Sequence, residues 1–350
     1  MILDTAYVHG GDIYSRPIRL DFSANVNPFG APEAVKAAVR SAAEELGAYP
    51  DPCCGPLREK LAAVNGVDKN DVICGNGAAE LIYQFAVALK PKKALLPVPS
   101  FADYESALLG LGCEPIFYPL SREDGFLLTE DILDAIGPDT DLLMLCSPNN
   151  PTGQSVPKEL LLKIQDRCRA AGTWLFLDEC FYELTDEDKA VSLVNYLQEG
   201  DRVFLLRAFT KAYGLAGLRL GYGLCKNREL LAAMSRLTQP WNVSTPAQAA
   251  GLAALDCPDW PRKARELFET GKRFLTEGLA ALGFSVLPGD ANFLFFSGAV
   301  GLYEELRERG VLIRDCANYR GLRPGDYRIA VRTRAENEEL LRVVKEALDV

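Results

Sequence analysis

The feature that most constrains this chain is an alternation of short, continuously apolar runs with amphipathic stretches through its middle. The runs fall at 71–74, 94–98, 114–118, 141–147, 174–178, 202–207 and 218–225, with helical patterns between several of them, as at 78–89 and 158–171. A strand that is apolar on both faces needs cover on both faces, so the pattern predicts a mostly parallel, doubly wound α/β sheet. Such sheets bind ligands in the crevice beyond the carboxyl ends of their strands, and functional residues are sought there. From about Pro261 the texture changes to a charged helix, then FSVLPG, ANFLFFSG, VLIRDC and YRIAVRT, ending in a helix from about Ala335. This reads as a smaller α+β unit. The expected organisation is an N-terminal segment (1–45), extended and turn-rich and lying across both parts, a large unit (46–260) and a small C-terminal unit (261–350). A length of 350 residues accommodates about two such units.

Charge and cysteine usage narrow the function. The net charge of −10 argues against general nucleic-acid or anionic-membrane binding, which needs a basic surface. A few arginines in a cleft still set a local positive field, so a phosphorylated substrate stays open. The ten cysteines form no CxxC pair, and there is one histidine, so no metal site is expected. The cysteines inside VICG, LMLCSP and LGYGLC read as reduced core residues. No apolar run reaches the length of a membrane span, about 18 residues. The N-terminal stretch has no basic leader with an apolar core, and the expected location is the cytoplasm.

The segment RAFTKAYGLAGLRLGY (207–222) carries the most chemistry. Lys211 follows an apolar strand, where the sheet opens onto its crevice. Desolvation and neighbouring cations there depress an ammonium pKa and free the amine for Schiff-base chemistry. Thr210 and Arg219 offer a hydroxyl and a forked guanidinium, both suited to a phosphate. Gly214, Gly217 and Gly221 permit close backbone approach.

This segment resembles the lysine region of the fold-type I, class I/II aminotransferases that depend on pyridoxal 5′-phosphate. SPNNPTG (147–153), LFLDE (175–179) and GNGAAE (75–80) match the family in order, and the resemblance runs from about Leu20 to Arg334. It implies a Schiff-base lysine at Lys211, with Asp178 pairing with the cofactor's pyridine nitrogen and Asn150 bonding its phenolic oxygen. It also implies a phosphate cradle at Gly77, Ala78 and Ala79, with Thr210 and Arg219, and a stacking ring at Phe101. Tyr49 corresponds to a residue that reaches the cofactor phosphate of a neighbouring subunit, so a homodimer with shared active sites is implied.

Within the family the chain resembles the threonine-phosphate decarboxylase branch more than the histidinol-phosphate aminotransferase branch. HGG from His9 and LDFSANVNP (20–28), which contains Asn25, are similar to the former's N-terminal signature. Phe181 stands where the aminotransferases usually carry a tyrosine that bonds the cofactor. LIRDCANYRGL (312–322) and YRIAVRTR (327–334) resemble the decarboxylase, with Arg332 where transaminases commonly have glycine. The resemblance implies Arg328 for the substrate carboxylate and Arg314 first for its phosphate, with Arg332 and Arg334 ranked second and His9 and Asn25 as further contacts. The implied reaction converts L-threonine O-3-phosphate to (R)-1-amino-2-propanol O-2-phosphate in cobalamin synthesis. The alternative is transamination of histidinol phosphate or a related compound.

Overall fold

A computed structural model describes residues 9–186 and 188–348. The first eight residues, part of the expected N-terminal segment, lie outside the described residues. All the strands expected in the first two thirds are present, in one seven-stranded sheet. From edge to edge it runs Val72–Gly75, Gly221–Leu224, Val203–Ala208, Trp174–Asp178, Leu142–Cys146, Lys93–Val98, Glu114–Pro119. Its pairings are parallel except those of Gly221–Leu224, which is antiparallel to both neighbours. That strand begins three residues later than the apolar run 218–225 suggests. Ala216–Leu218 form a 3₁₀ turn and Arg219 has φ of 58°, a left-handed conformation that ends extended structure.

The period-two alternation of strand side chains builds two cores. Leu175, Leu177, Leu143 and Leu145 face one core, while Trp174, Phe176, Leu142 and Met144 face the other. On the second face Phe176 stacks on Phe204 at 5.5 Å and meets Phe85 edge-on at 4.9 Å. Burying a ring of this kind stabilises by about 1.5–3 kcal/mol. Phe85 comes from helix Ala78–Leu89, so the helix that opens at the expected phosphate cradle is bolted to the middle of the sheet. Gly223 makes room across the strands, since a Cβ there would lie 2.1 Å from the Phe204 ring.

The C-terminal part holds a four-stranded antiparallel sheet ordered Arg314–Asp315, Asp326–Ala330, Phe293–Ser297, Ser285–Leu287. Helices Asp259–Ala281, Leu302–Glu308 and Arg334–Ala347 accompany it, the last opened by a reciprocal cap between Thr333 and Glu336. The N-terminal segment does touch both parts: Leu20–Asp21 pairs with Val311–Leu312, and the Asn27 N–H donates to the Lys211 carbonyl at 3.0 Å. It is less extended than expected, because Glu33–Ala42 is helical with a strongly amphipathic pattern. All ten cysteines are free thiols, and of these only Cys53 is exposed. Among the described residues no helix is long and apolar enough to cross a membrane.

Candidate active site

The crevice at the carboxyl ends of the parallel strands opens into a cavity of about 560 Å³. Lys211, Asp178, Asn150, Ala78, Ala79, Phe101, Phe181, Thr210, Arg219, His9, Asn25, Arg314 and Arg328 all line it, residues gathered from the two ends of the chain and its centre. Among these walls Lys211, Arg219, Arg314 and Arg328 oppose the carboxyls of Asp178 and Asp103. The cavity is therefore locally cationic in an acidic protein.

Lys211 sits in the one-turn helix Phe209–Ala212 directly after strand Val203–Ala208. Burial, then the Arg328 guanidinium and more weakly Arg219, push its amine down to about 8. At neutral pH about a tenth of such an amine is uncharged, against about one in 3,000 for an ordinary lysine. Asp178 ends strand Trp174–Asp178 and is fully enclosed, and desolvation raises its carboxyl above the usual range. It accepts a hydrogen bond from the Tyr104 hydroxyl at 2.6 Å and one from the Cys180 N–H at 2.8 Å. Tyr104 was not expected. The signal was present, since Phe101 and Tyr104 are three apart at the start of helix Ala102–Leu109 and share a face.

Helix Ala78–Leu89 opens towards the cavity with Gly77 as its N-cap and no side-chain cap, leaving its first N–H groups to an anion. Gly77 itself lies at φ 83°, and a Cβ there would be 2.4 Å from Nη2 of Arg219. Arg219 thus lies over the helix end. A Cβ on Gly221 would meet the Ala78 nitrogen at 2.5 Å, so this glycine lets the strand reach the same spot. A helix N-terminus, a guanidinium and the Thr210 hydroxyl beside a reactive amine form a cradle fitted to a phosphate-bearing aldehyde.

The opposite wall comes from the C-terminal sheet. Arg314 and Arg328 are direct partners on adjacent antiparallel strands, so both project from one face. Both are buried. Arg314 donates to Asn318 at 2.8 Å and lies over the Tyr319 ring, whereas Arg328 donates to the Ser23 carbonyl at 2.7 Å and to Asn150. Nε of Arg328 and Oδ1 of Asn25 are buried without a hydrogen-bond partner among the described residues. Polar capacity is kept in reserve on this wall, as a site for a charged ligand requires.

Two expected residues lie elsewhere. Arg332 does not line the cavity: its guanidinium donates to Glu336 at 2.7 and 2.9 Å and to the Asp21 carbonyl at 3.2 Å. It lies past the end of strand Asp326–Ala330, where the chain turns to the last helix, and this takes its guanidinium away from the cavity walls. Arg334 pairs with Glu338 over the Phe274 ring and is likewise outside. Tyr49 is 77% exposed, stacks on Trp241 at 4.1 Å, and is not part of its own chain's cavity.

Residues 17–344 match the profile of aminotransferase class I and II. The chain belongs to this family. It is 37% identical to a threonine-phosphate decarboxylase of Salmonella typhimurium, over 97% of this chain and 96% of that protein. The fold resembles the crystal structure of a histidinol-phosphate aminotransferase from Clostridium acetobutylicum, with a TM-score of 0.87 and 27% identity over 95% of this chain and all of the other. An L-threonine-O-3-phosphate decarboxylase from Porphyromonas gingivalis gives 0.84 and 26% over the same shares. Similarity across the family therefore reaches both branches, and the cavity walls have to carry the choice between them.

Proposed function

We propose that this chain decarboxylates L-threonine O-3-phosphate to (R)-1-amino-2-propanol O-2-phosphate, using pyridoxal 5′-phosphate. The observation that carries the reading is the pair of buried guanidinium groups, Arg314 and Arg328, set side by side across the cavity from Lys211. A doubly anionic amino acid needs two such forks, one for carboxylate and one for phosphate. The 37% identity to a threonine-phosphate decarboxylase over 97% of this chain supports it.

The cofactor's phosphate would rest on the N–H groups of Gly77, Ala78 and Ala79 with Thr210 and Arg219. Phe101 would pack against its ring, Asn150 would meet its phenolic oxygen, and Lys211 Nζ would hold it covalently. When bound, the cofactor supplies an electron sink conjugated to the substrate's α-carbon. Asp178 keeps a proton on the ring nitrogen, and Tyr104 keeps Asp178 in place. Arg328 takes the substrate carboxylate and Arg314 the phosphate, which orients the bond that breaks. Lys211 Nζ returns a proton to the carbon that has lost carbon dioxide. Phe181, packed 5.1 Å from Phe293 with the Lys211 amine 5.7 Å from its ring, brings no hydroxyl to this wall.

Incubating holoenzyme with O-phospho-L-threonine and no 2-oxo acid should release carbon dioxide stoichiometrically with the amino-propanol phosphate. Turnover of histidinol phosphate that depends on 2-oxoglutarate, without gas, would replace this reading with the aminotransferase one, which the structural similarity to that enzyme keeps in play. We also propose a homodimer in which the exposed Tyr49 serves a second copy. Mixing chains inactivated separately by Tyr49→Ala and by Lys211→Ala should restore part of the activity if sites are shared, because the site of the Tyr49→Ala chain keeps its own Lys211 and Arg219 and takes its tyrosine from the Lys211→Ala partner.

A further inference from the structure

We infer that Asp103 is a positioning residue for phosphate recognition, anchoring the imidazole of His9 across the mouth of the cavity. The inference deepens the reading above and rests on it for the identity of the anion.

His9 is delivered to this place by the chain that follows it. The Gly10 backbone lies so close to Ser23 that a Cβ would stand 2.4 Å from the Ser23 carbonyl oxygen, and the Gly11 N–H donates to the Ser23 hydroxyl at 2.7 Å. The Ser23 carbonyl in turn accepts from Arg328. The segment that carries His9 is therefore tied to the arginine wall. The imidazole ends 5.7 Å from the Phe101 ring, with Nε2 at 3.3 Å from Oδ1 of Asp103. This close contact lacks hydrogen-bond alignment and is ionic only when the imidazole is protonated, and Oδ1 of Asp103 has no hydrogen-bond partner among the described residues.

Asp103 is the second residue of helix Ala102–Leu109, where an acid suits the helix dipole, but that does not account for burying it to 6% exposure on a cavity wall. A buried carboxylate oxygen without a hydrogen bond is costly and calls for a cation. His9 is the group that reaches it, while Arg314, Arg328 and Lys211 act on His9 from the cavity side. On its other side His9 shares a small hollow with Asp12, Asp315, Tyr303 and Arg314. Burial first, then Arg314, Arg328 and Lys211, lower the imidazole's affinity for a proton, and burial raises the Asp103 carboxyl to about 6. Burial and the cavity's cations thus hold the ring towards its neutral form, while the Asp103 carboxylate beside it favours the cation. A phosphate arriving at Arg314 cancels that opposition and the ring takes up a proton, giving a second N–H donor while Nε2 stays with Asp103.

His9 is the chain's single histidine, so untagged holoenzyme labelled with 13C-histidine gives one ring signal, and its titration reads His9 alone. In the wild type, saturating inorganic phosphate should move the midpoint to higher pH. Asp103→Asn should move the phosphate-free midpoint to lower pH by about one unit, the effect of removing one adjacent opposite charge, and Asp103→Glu should restore most of it. The same Asn variant should raise KM for O-phospho-L-threonine about tenfold and leave kcat within about twofold. An unmoved midpoint in a folded Asp103→Asn protein, or a loss confined to kcat, overturns the inference. Should that variant not fold, the wild-type titration decides, because a midpoint indifferent to phosphate overturns it as well. If the enzyme released no carbon dioxide yet the midpoint fell in Asp103→Asn, the reaction would be wrong and the anchoring of His9 would stand.

Discussion

The two walls of the cavity are built in different ways. On the sheet wall, Asp178 and Lys211 sit at the carboxyl ends of neighbouring parallel strands, and Asp178 is closed off by Tyr104 and the Cys180 N–H. On the facing wall, His9, Asn25, Arg314 and Arg328 come from segments some 300 residues apart, and Asn25 and Arg328 keep polar atoms without hydrogen bonds among the described residues. One wall is finished by the topology of a single sheet. The other exists only where two ends of the chain dock, and it keeps bonding capacity for a ligand. The first should therefore govern cofactor loading and chemistry, and the second substrate affinity.

The strongest test of that division is Lys211→Ala. It removes the covalent anchor and the proton donor together, so carbon dioxide release should fall by about 10³-fold or more. The cofactor's absorption band should also cease to respond to borohydride. Next come Arg314→Leu and Arg328→Leu on the other wall. Each removes charge-assisted bonds of about 1.5–3 kcal/mol, so kcat/KM should drop about 10- to 100-fold, mainly through KM, with the cofactor band intact. Equal losses of cofactor in those two variants would break the comparison.

The same division explains what could be read from the sequence. The sheet wall was legible because its residues follow apolar strands in short motifs, and the strand period places each one at the crevice. Lys211, Asp178 and Asn150 lie where that reasoning puts them. Tyr104 and Asp103 were missed because a helix turn, not a motif, brings them in. The facing wall depends on register, which a sequence does not display. Arg314 and Arg328 meet because they are cross-strand partners, whereas Arg332, four residues beyond Arg328, is past the end of strand Asp326–Ala330 and turns to Glu336. An arginine-rich strand thus announces cationic character without saying which arginine faces the cavity.

Tyr104→Phe should have a smaller effect. Losing the 2.6 Å bond leaves the enclosed Asp178 carboxylate with less support, at about 1–2 kcal/mol. The folded Asp178 carboxyl is already raised by burial, and removing a donor to its anion raises it further, so the pairing with the ring nitrogen weakens. Cofactor affinity should fall about tenfold while KM for the phosphorylated substrate hardly changes, as equilibrium titration of the coenzyme and initial rates can show together.

The finest test asks how far one wall tunes the other. Lys211 is pushed down to about 8 by burial first and by Arg328 next, so the substrate wall helps to ready the amine on the cofactor wall. In cofactor-free protein the reactive form is the neutral amine, so the rate of coenzyme capture should rise with pH and level off above about 8. Below that midpoint the rate follows the deprotonated fraction, about tenfold per pH unit. Arg328→Gln removes a nearby positive charge and so favours the ammonium, which moves the midpoint to higher pH and slows capture a few-fold at pH 7. Capture at pH 10, where the amine is neutral in either protein, should be the same for both. A midpoint that stayed put would mean that burial alone readies Lys211, and the two walls would then be independent in their electrostatics as well as in their construction.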